Sequence, residues 1–420
     1  MTATTERPKL RNIEAIRYRA NGQDMFCLRD PYHLSDLMLH VSPEVFVIAC
    51  MLDGSRDIRE IQAEFMRRFG VLVRSEDVQK VIDGLEQAHF LEGASFEDWR
   101  RQVEEGYRAL PVRAPILAGS CYPEDRRDIG GFLDRFFTAP GGPAMPAPRA
   151  ENAAPVRALV VPHIDLRRGG TTYAHGYKAL AEAAPPEVVV VLGVAHAGRG
   201  GFFTLTRKDF ETPLGTLKTD AEVVARLGAA LGERAFADEF AHKGEHSIEI
   251  QAVWLQHLWP DRPPRLVPVL CGSFHELLAS GTSPRSVDEV ARMIGELGAL
   301  LHEGGGKVTL LASADLAHIG AKFGDRVPLT ERLLRKNEEL DRQMLELVQA
   351  GDADGFFDFV RREEDRRKIC GLVPIYATLA ALEVAAGAKV PMRLLNYAQS
   401  VEEATQSLVS FAALAEDRAP

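Results

Sequence analysis

The stretch EVVVVLGVAH, residues 187–196, carries the clearest signal of architecture in the chain. It is β-branched, apolar on both alternating faces and too short for a typical helix, which marks a strand buried on both sides, the kind found in parallel sheets. It ends abruptly in His196, beside the small residues Ala195, Ala197 and Gly198. Upstream, VRALVVPH (156–163) has the same character and ends in Pro162 and His163. TYAHGYKALAEAA (172–184) lies between the two runs and reads as a crossover helix. Strand, helix and strand in this order predict an α/β domain around one sheet.

The pattern continues downstream. FFTLTRKDFETPLGTLKTD (202–220) predicts an antiparallel excursion that bends at Pro213 and Gly215. DAEVVARLGAALG (220–232), HSIEIQAVWLQHL (246–258) and GLVPIYATLAALEVAAG (371–387) predict helices. RLVPVLCG (265–272), KVTLLASAD (307–315), MRLLNYAQS (392–400) and SLVSFAALA (407–415) predict further strands of a mixed sheet. TAPGGPAMPAPRAENAAP (138–155), rich in Pro, Gly and Ala, reads as a loop within this domain.

The chain has 420 residues, so two domains are expected, and its 46% hydrophobic and 26% charged content is that of a soluble globular protein. The N-terminal segment is polar, without the apolar core of a signal peptide, and no apolar run reaches the ~20 residues of a membrane span. A net charge of −10 argues against a nucleic-acid-binding surface over the whole protein. Five scattered cysteines (27, 50, 121, 271 and 370) suit a reducing cytoplasm. The expectation is a soluble, cytoplasmic protein with no nucleic-acid or membrane partner.

Residues 1–93 form a separate small unit, followed by a connecting helix and linker over 94–115. MFCLRD (25–30) is a strand candidate. Ser42 and Ser75 are positioned as helix N-caps, with Pro43 at a first helical position and Gly54 and Gly70 as stops. A strand, three short helices and a terminal apolar segment predict a winged-helix-like α+β domain. LDGSRDIREIQAEFMRRFG (52–70) and the helix after it resemble the PqqD-like peptide-recognition domains, in which a peptide adds to an exposed sheet edge. The unit holds 12 Lys and Arg against 15 Asp and Glu, which disfavours DNA.

Candidate chemistry collects at strand ends. In open α/β sheets, sites form outside the carboxyl ends of the strands, and His163, His196 and the pair Asp315 and His318 all follow strand runs. Each alone has an ordinary explanation: a strand-end histidine is usually exposed or satisfied, and Asp315 suits a helix N-cap. Their joint occurrence points to a shared site. Cys370 stands before a helix and after the basic run RREEDRRK, a setting that favours thiolate; Cys271 is a rival, and a buried small hydrophobe is the plain alternative for either. GEHSIEIQ (244–251) adds His246, Glu245 and Glu249, with Ser247 and Glu249 as possible capping residues. The HExxH, Walker and GxSxG patterns are absent.

Nine stretches, AGSCYP, VVPHID, VLGVAH, DFETPLGTLKTD, EHSIEIQAVWLQHL, VPVLCGSF, SADLAHIG, KICGLVPIYATLAALE and LLNYAQS, occur in the order found in the Memo-like family. The resemblance covers about residues 116–416 and implies the fold of the class III extradiol dioxygenases, a mixed-sheet domain. It implies metal ligands at His163, His196 and Cys370. Asp315, His318 and His246 fall beside them as residues that orient ligands or move protons, with Ser313 in the same motif as Asp315. Where the family usually reads PHAGYxYSG this chain has PHIDLRRGG, so Asp165, Leu166 and Arg168 change the pocket. The resemblance also implies radical-SAM and AMMECR1-type partners.

Two functions remain open on these residues. One is a redox metalloenzyme using an iron or copper ion, with zinc a further candidate, and with a peptide or protein partner held by the N-terminal unit. The other is a non-catalytic metal- or peptide-binding adaptor that reuses the cleft.

Overall fold

The computed structural model describes residues 7–417 and divides into two compact units, up to Leu110 and from Pro111. The first six residues of the expected N-terminal unit lie outside the described residues. The helix Ala94–Ala109, expected as part of a linker, belongs to the first unit.

The first unit opens with a three-stranded antiparallel sheet, β1 (Glu14–Ala20), β2 (Gln23–Arg29) and β3 (Met38–Val41), in that spatial order. Helices Pro43–Met51, Ile58–Phe69 and Ser75–Gln87 follow. Ser42 accepts a hydrogen bond from the Val45 N–H with Pro43 in the first turn, and Gly70 ends the second helix in left-handed conformation (φ 69°). Ser75 is not the cap of its helix: Arg74 takes that position, and the Ser75 hydroxyl donates to Gln62 instead. Leu28, Ile48, Ile61, Phe65, Val78, Ile82 and Phe90 are buried together as the core of this unit.

The second unit contains β4 (Val112–Arg113), β5 (Ala158–Val161), β6 (Val188–Val194), β7 (Phe203–Leu205), β8 (Asp209–Thr212), β9 (Gly215–Leu217), β10 (Arg265–Cys271), β11 (Val308–Ser313), β12 (Asp315–Gly320), β13 (Met392–Glu402) and β14 (Ser407–Glu416). Eight of them form the main sheet in the order β12-β14-β5-β11-β6-β10-β7, with β13 paired along β14. β5, β11, β6 and β10 run parallel; β7, β12, β13 and β14 are antiparallel to their neighbours. β4, β8 and β9 make a separate small sheet, with the bend at Pro213 and Gly215 between β8 and β9.

The two-sided burial read from the sequence is realised with period two. Ala158, Val160, Val190, Leu192, Val267, Val269, Leu310 and Ala312 face one apolar core, which includes side chains of helices Asp288–Glu303 and Leu372–Ala386. Leu159, Val161, Val189, Val191, Leu266, Leu270 and Leu311 face the other, with side chains of helices Arg126–Thr138, Leu166–Ala181 and Glu249–Leu258. Each fully buried Val or Leu contributes roughly 1.5–3 kcal/mol, so helices on both faces hold the parallel strands in register and their carboxyl ends on one edge.

Residues 315–320 do not begin a helix. Asp315 and His318 lie on β12, which pairs with β14 some ninety residues later, so Asp315 has no capping role.

Candidate metal centre

β5 and β6 lie on either side of β11 in the sheet, and all three run in the same direction. His163 sits two residues beyond β5, His196 two beyond β6, and Asp315 two beyond β11. The edge geometry therefore brings three separated stretches of sequence together. One Asp315 oxygen, Oδ1, accepts the backbone N–H of His163 at 3.0 Å and of Ile164 at 3.3 Å. The other, Oδ2, lies 3.6 Å from His163 Nε2. Asp315 thus fixes the chain path at His163 while facing its ring.

His246 arrives from the turn before helix Glu249–Leu258, and a glycine lets it in. A Cβ on Gly193 would stand 2.6 Å from Ser247 Oγ and 2.7 Å from Ile248 Cγ1. Without that Cβ the turn lies against β6, where the Ser247 hydroxyl accepts from the Val194 N–H (3.0 Å) and donates to the Val194 carbonyl (3.2 Å). Ser247 is thereby a strand fastener rather than a cap. Glu249 is no cap either: it is fully buried and paired with Arg113.

One potential ligand atom from each of His163, His196 and His246 lies within 4.8 Å of the other two. The His163 side chain is 2% exposed, whereas those of His196 and His246 are 39% and 35% exposed, so the cluster has a buried side and an open one. Its orientation is set from outside. His163 Nδ1 lies 2.9 Å from the Ser313 carbonyl oxygen, and His196 Nδ1 lies 3.0 and 3.1 Å from the two Glu245 oxygens. With Nδ1 donating to these acceptors, Nε2 of both rings is left as the lone-pair donor, the arrangement found around protein metal ions.

Cys370 comes to the same place by a second close approach. A Cβ on Gly371 would stand 2.4 Å from the Asp315 carbonyl oxygen, and the Gly371 N–H donates to that oxygen at 3.0 Å. Cys370 Sγ consequently lies 3.4 Å from His163 Nε2. A thiolate and an imidazole on one tetrahedral ion stand roughly 3.6 Å apart, given bonds of about 2.3 and 2.05 Å, so this pair fits a shared ion. The loop carrying Cys370 is held in unusual backbone: Glu364, Asp365 and Lys368 all have φ near +50°. Arg367, buried against Asp341 and Glu363, anchors it.

The thiol's electrostatics differ from expectation. Burial raises the Cys370 pKa well above the ordinary thiol value, and Asp315 adds to the effect. The neighbouring cations do not counter it, because Arg366, Arg367 and Lys368 are engaged by Glu364, by Asp341 and Glu363, and by Asp325. Without an ion beside it the thiol stays protonated. Cys271 is buried in the sheet, with its thiol also pushed up by burial.

Burial lowers His163 to about 3, with His196 adding to the fall, and lowers His246 to about 4 against the pull of Glu245. On His196, burial is outweighed by Glu245 and Asp315, so that ring holds its proton above the ordinary value. Burial also raises the Asp315 carboxyl. His318 lies at the margin: its N–H donates to the Arg367 carbonyl at 2.7 Å, and Nδ1 lies near the carbonyls of Leu316 and Lys368. Burial lowers its pKa against Asp315.

Of the residues singled out from sequence, His163, His196, His246, Asp315 and Cys370 are joined by direct distances. The mutual group of three donor atoms consists of the imidazoles, with Cys370 set beside His163. Two contributors had no assigned role: Glu245, legible only as an acid next to His246, and Arg113, which carries no local signal. Asp165 and Arg168, where the chain departs from the usual family pattern, are turned to other work. Asp165 caps helix Leu166–Ala181, and Arg168 donates to Ser400.

These features define a mixed-sheet α/β protein with an imidazole cluster at the carboxyl ends of its parallel strands. Residues 113–415 match the model of the Memo-like protein family, and the chain belongs to that family. It is 28% identical over 408 residues to a MEMO1 family protein of Aquifex aeolicus, covering 97% of this chain and 99% of that one. It is 31% identical over 311 residues to a MEMO1 family protein of Thermococcus kodakarensis, covering 72% of this chain and 98% of that one.

Proposed function

We propose that the protein is a metal-dependent redox enzyme, holding one iron or copper ion through Nε2 of His163 and His196, with the remaining protein donors drawn from Cys370 and His246. The observation that carries this reading is the group of three imidazoles whose donor atoms lie within 4.8 Å of one another, two of the rings having Nδ1 already occupied. Imidazole and thiolate donors suit iron, copper or zinc better than magnesium or calcium. When bound, a redox-active ion would supply electron transfer at a position open to substrate on the exposed side of the cluster.

The chain's own groups have distinct tasks. Asp315, buried with its carboxyl pKa raised, is suited to holding and returning a proton beside His163. His318 can carry a proton between this region and the margin. A soft thiol in the donor set favours oxidase-like electron transfer over ring cleavage.

The first unit would recognise a peptide or protein. β1 and β3 each pair on one side only among the described residues, so either offers an edge for strand addition. Radical-SAM and AMMECR1-type proteins are the partners to try first. Five free cysteines agree with a cytoplasmic setting, and no described helix is long and apolar enough to cross a membrane.

The test is oxygen consumption by protein reconstituted with Fe(II) or Cu(I), supplied with a reductant and a panel of phenols. Turnover that disappears in His163→Ala and in a metal-retaining Asp315→Asn variant supports the enzyme. Stoichiometric metal binding with no turnover under any of these conditions favours the adaptor.

A further inference from the structure

We infer that Glu245 is the positioning residue of the cluster: its carboxylate selects the Nδ1–H form of His196 and so aims Nε2 at the metal. The inference rests on the metal-binding reading above and adds a residue to it.

The carboxylate is 5% exposed and its acceptor sites are fully committed. Oε1 accepts the backbone N–H of His246 and of Ser247, each at 2.8 Å, and lies 3.1 Å from His196 Nδ1. Oε2 accepts the His196 backbone N–H at 3.0 Å and lies 3.0 Å from the same ring nitrogen. His246 Nδ1 stands 3.3 Å from Oε1 as well. A carboxylate is an acceptor only, so a neutral His196 ring beside it must carry its proton on Nδ1. With three backbone donors already seated, Glu245 has little capacity left to bind an ion itself. Its role is to hold another ligand.

Glu245 is in turn held by its own backbone. Its carbonyl accepts from Arg113 Nη2 at 2.6 Å, and Arg113 Nε donates to the His242 carbonyl at 3.0 Å. The same guanidinium is paired with the buried Glu249 carboxylate, which also accepts the N–H groups of Ile116 and Leu117. A buried charge pair therefore fixes the turn, the turn fixes the carboxylate, and the carboxylate fixes the ring.

His163 provides a control inside the molecule, because its Nδ1 faces the Ser313 carbonyl rather than the Glu245 carboxylate. The experiment is nitrogen-15 NMR of the histidine rings in full-length, metal-free protein, at a pH alkaline enough to leave every imidazole neutral. It is run on the parent and on Glu245→Gln, whose amide can present N–H₂ to the ring. A chelator-competition measurement of Cu(I) and Zn(II) affinity accompanies it. We expect the parent to show Nδ1–H at both His163 and His196. Glu245→Gln should shift His196 toward Nε2–H, leave His163 unchanged and weaken metal binding about 10–100-fold. A parent spectrum with His196 in the Nε2–H form overturns the inference, whatever the variant does. So does Glu245→Gln with an unchanged His196 ring and parental affinity. If the parent binds no metal, the function proposed above fails while the ring measurement still decides the role of Glu245.

Discussion

Glu249→Ala is the sharpest test of how the fold holds the cluster. Glu249 and Arg113 have fully buried side chains, 136 residues apart in sequence. The Glu249 carboxylate also accepts from Ile116 N–H (2.9 Å), Leu117 N–H (2.9 Å) and the Tyr122 hydroxyl. Truncation leaves a guanidinium in the interior without its counter-charge, a change that costs about 3–5 kcal/mol. The orphaned N–H and O–H groups carry roughly 1–3 kcal/mol each if no water reaches them, so about 5 kcal/mol is a conservative total. For a unit of about 310 residues, at roughly 2.1 cal/mol/K per residue, that lowers the unfolding midpoint by about 8 °C. Differential scanning calorimetry of the full chain reads this directly. The Arg113→Met, Glu249→Leu double variant should recover part of the loss, since no lone charge then remains. A midpoint within 1 °C of the parent for Glu249→Ala would refute the view that this pair clamps the turn carrying Glu245 and His246.

Gly193→Ala should push the turn at Ser247 off β6 and separate His246 from His196, lowering metal affinity at least tenfold by chelator competition while circular dichroism keeps the parental helix content. His242 is buried and its pKa is lowered by burial to about 3, below its unfolded value near 6.5. The unfolded state therefore takes up the proton first as pH falls. Stability is unaffected above pH 6.5 and declines from there toward pH 3, by about 2–3 kcal/mol at pH 4.5 from this residue alone. Urea denaturation at pH 7 and 4.5 should show a smaller loss for His242→Gln than for the parent, and equal losses would contradict the assignment.

The parts of this structure visible in sequence are those with local causes. Runs of Val and Leu flanked by breakers identify β5, β6, β10 and β11, and the rule that sites form beyond parallel strands is enough to single out His163, His196 and Asp315. What sequence hides is long-range. DLAHIG could start a helix until β14 is available to pair with it. The basic run before Cys370 suggests a thiolate, yet the three cations nearest the thiol in sequence, Arg366, Arg367 and Lys368, are taken by Asp341, Glu363, Glu364 and Asp325, of which Asp341 and Asp325 lie well away in sequence. His246 reads as an accessory residue because its proximity to His196 depends on the missing side chain at Gly193. Gly371 does the same for Cys370. Gly371 adjoins Cys370 in sequence, whereas Gly193 lies on β6 far from His246, and the meaning of each glycine lies in what it allows to approach.

The proposed function requires that His163, His196 and their neighbours bind one transition-metal ion. X-ray absorption at the metal edge, on full-length protein loaded with Cu(I) or Fe(II) and matched by elemental analysis, tests it most directly. One ion per chain is expected, with at least two imidazole nitrogens in its first coordination sphere and a sulfur scatterer that vanishes in Cys370→Ala. His163→Ala should abolish stoichiometric loading. An ion that stays fully bound with an unchanged spectrum in His163→Ala, or a parent protein that retains no metal after loading, would contradict it.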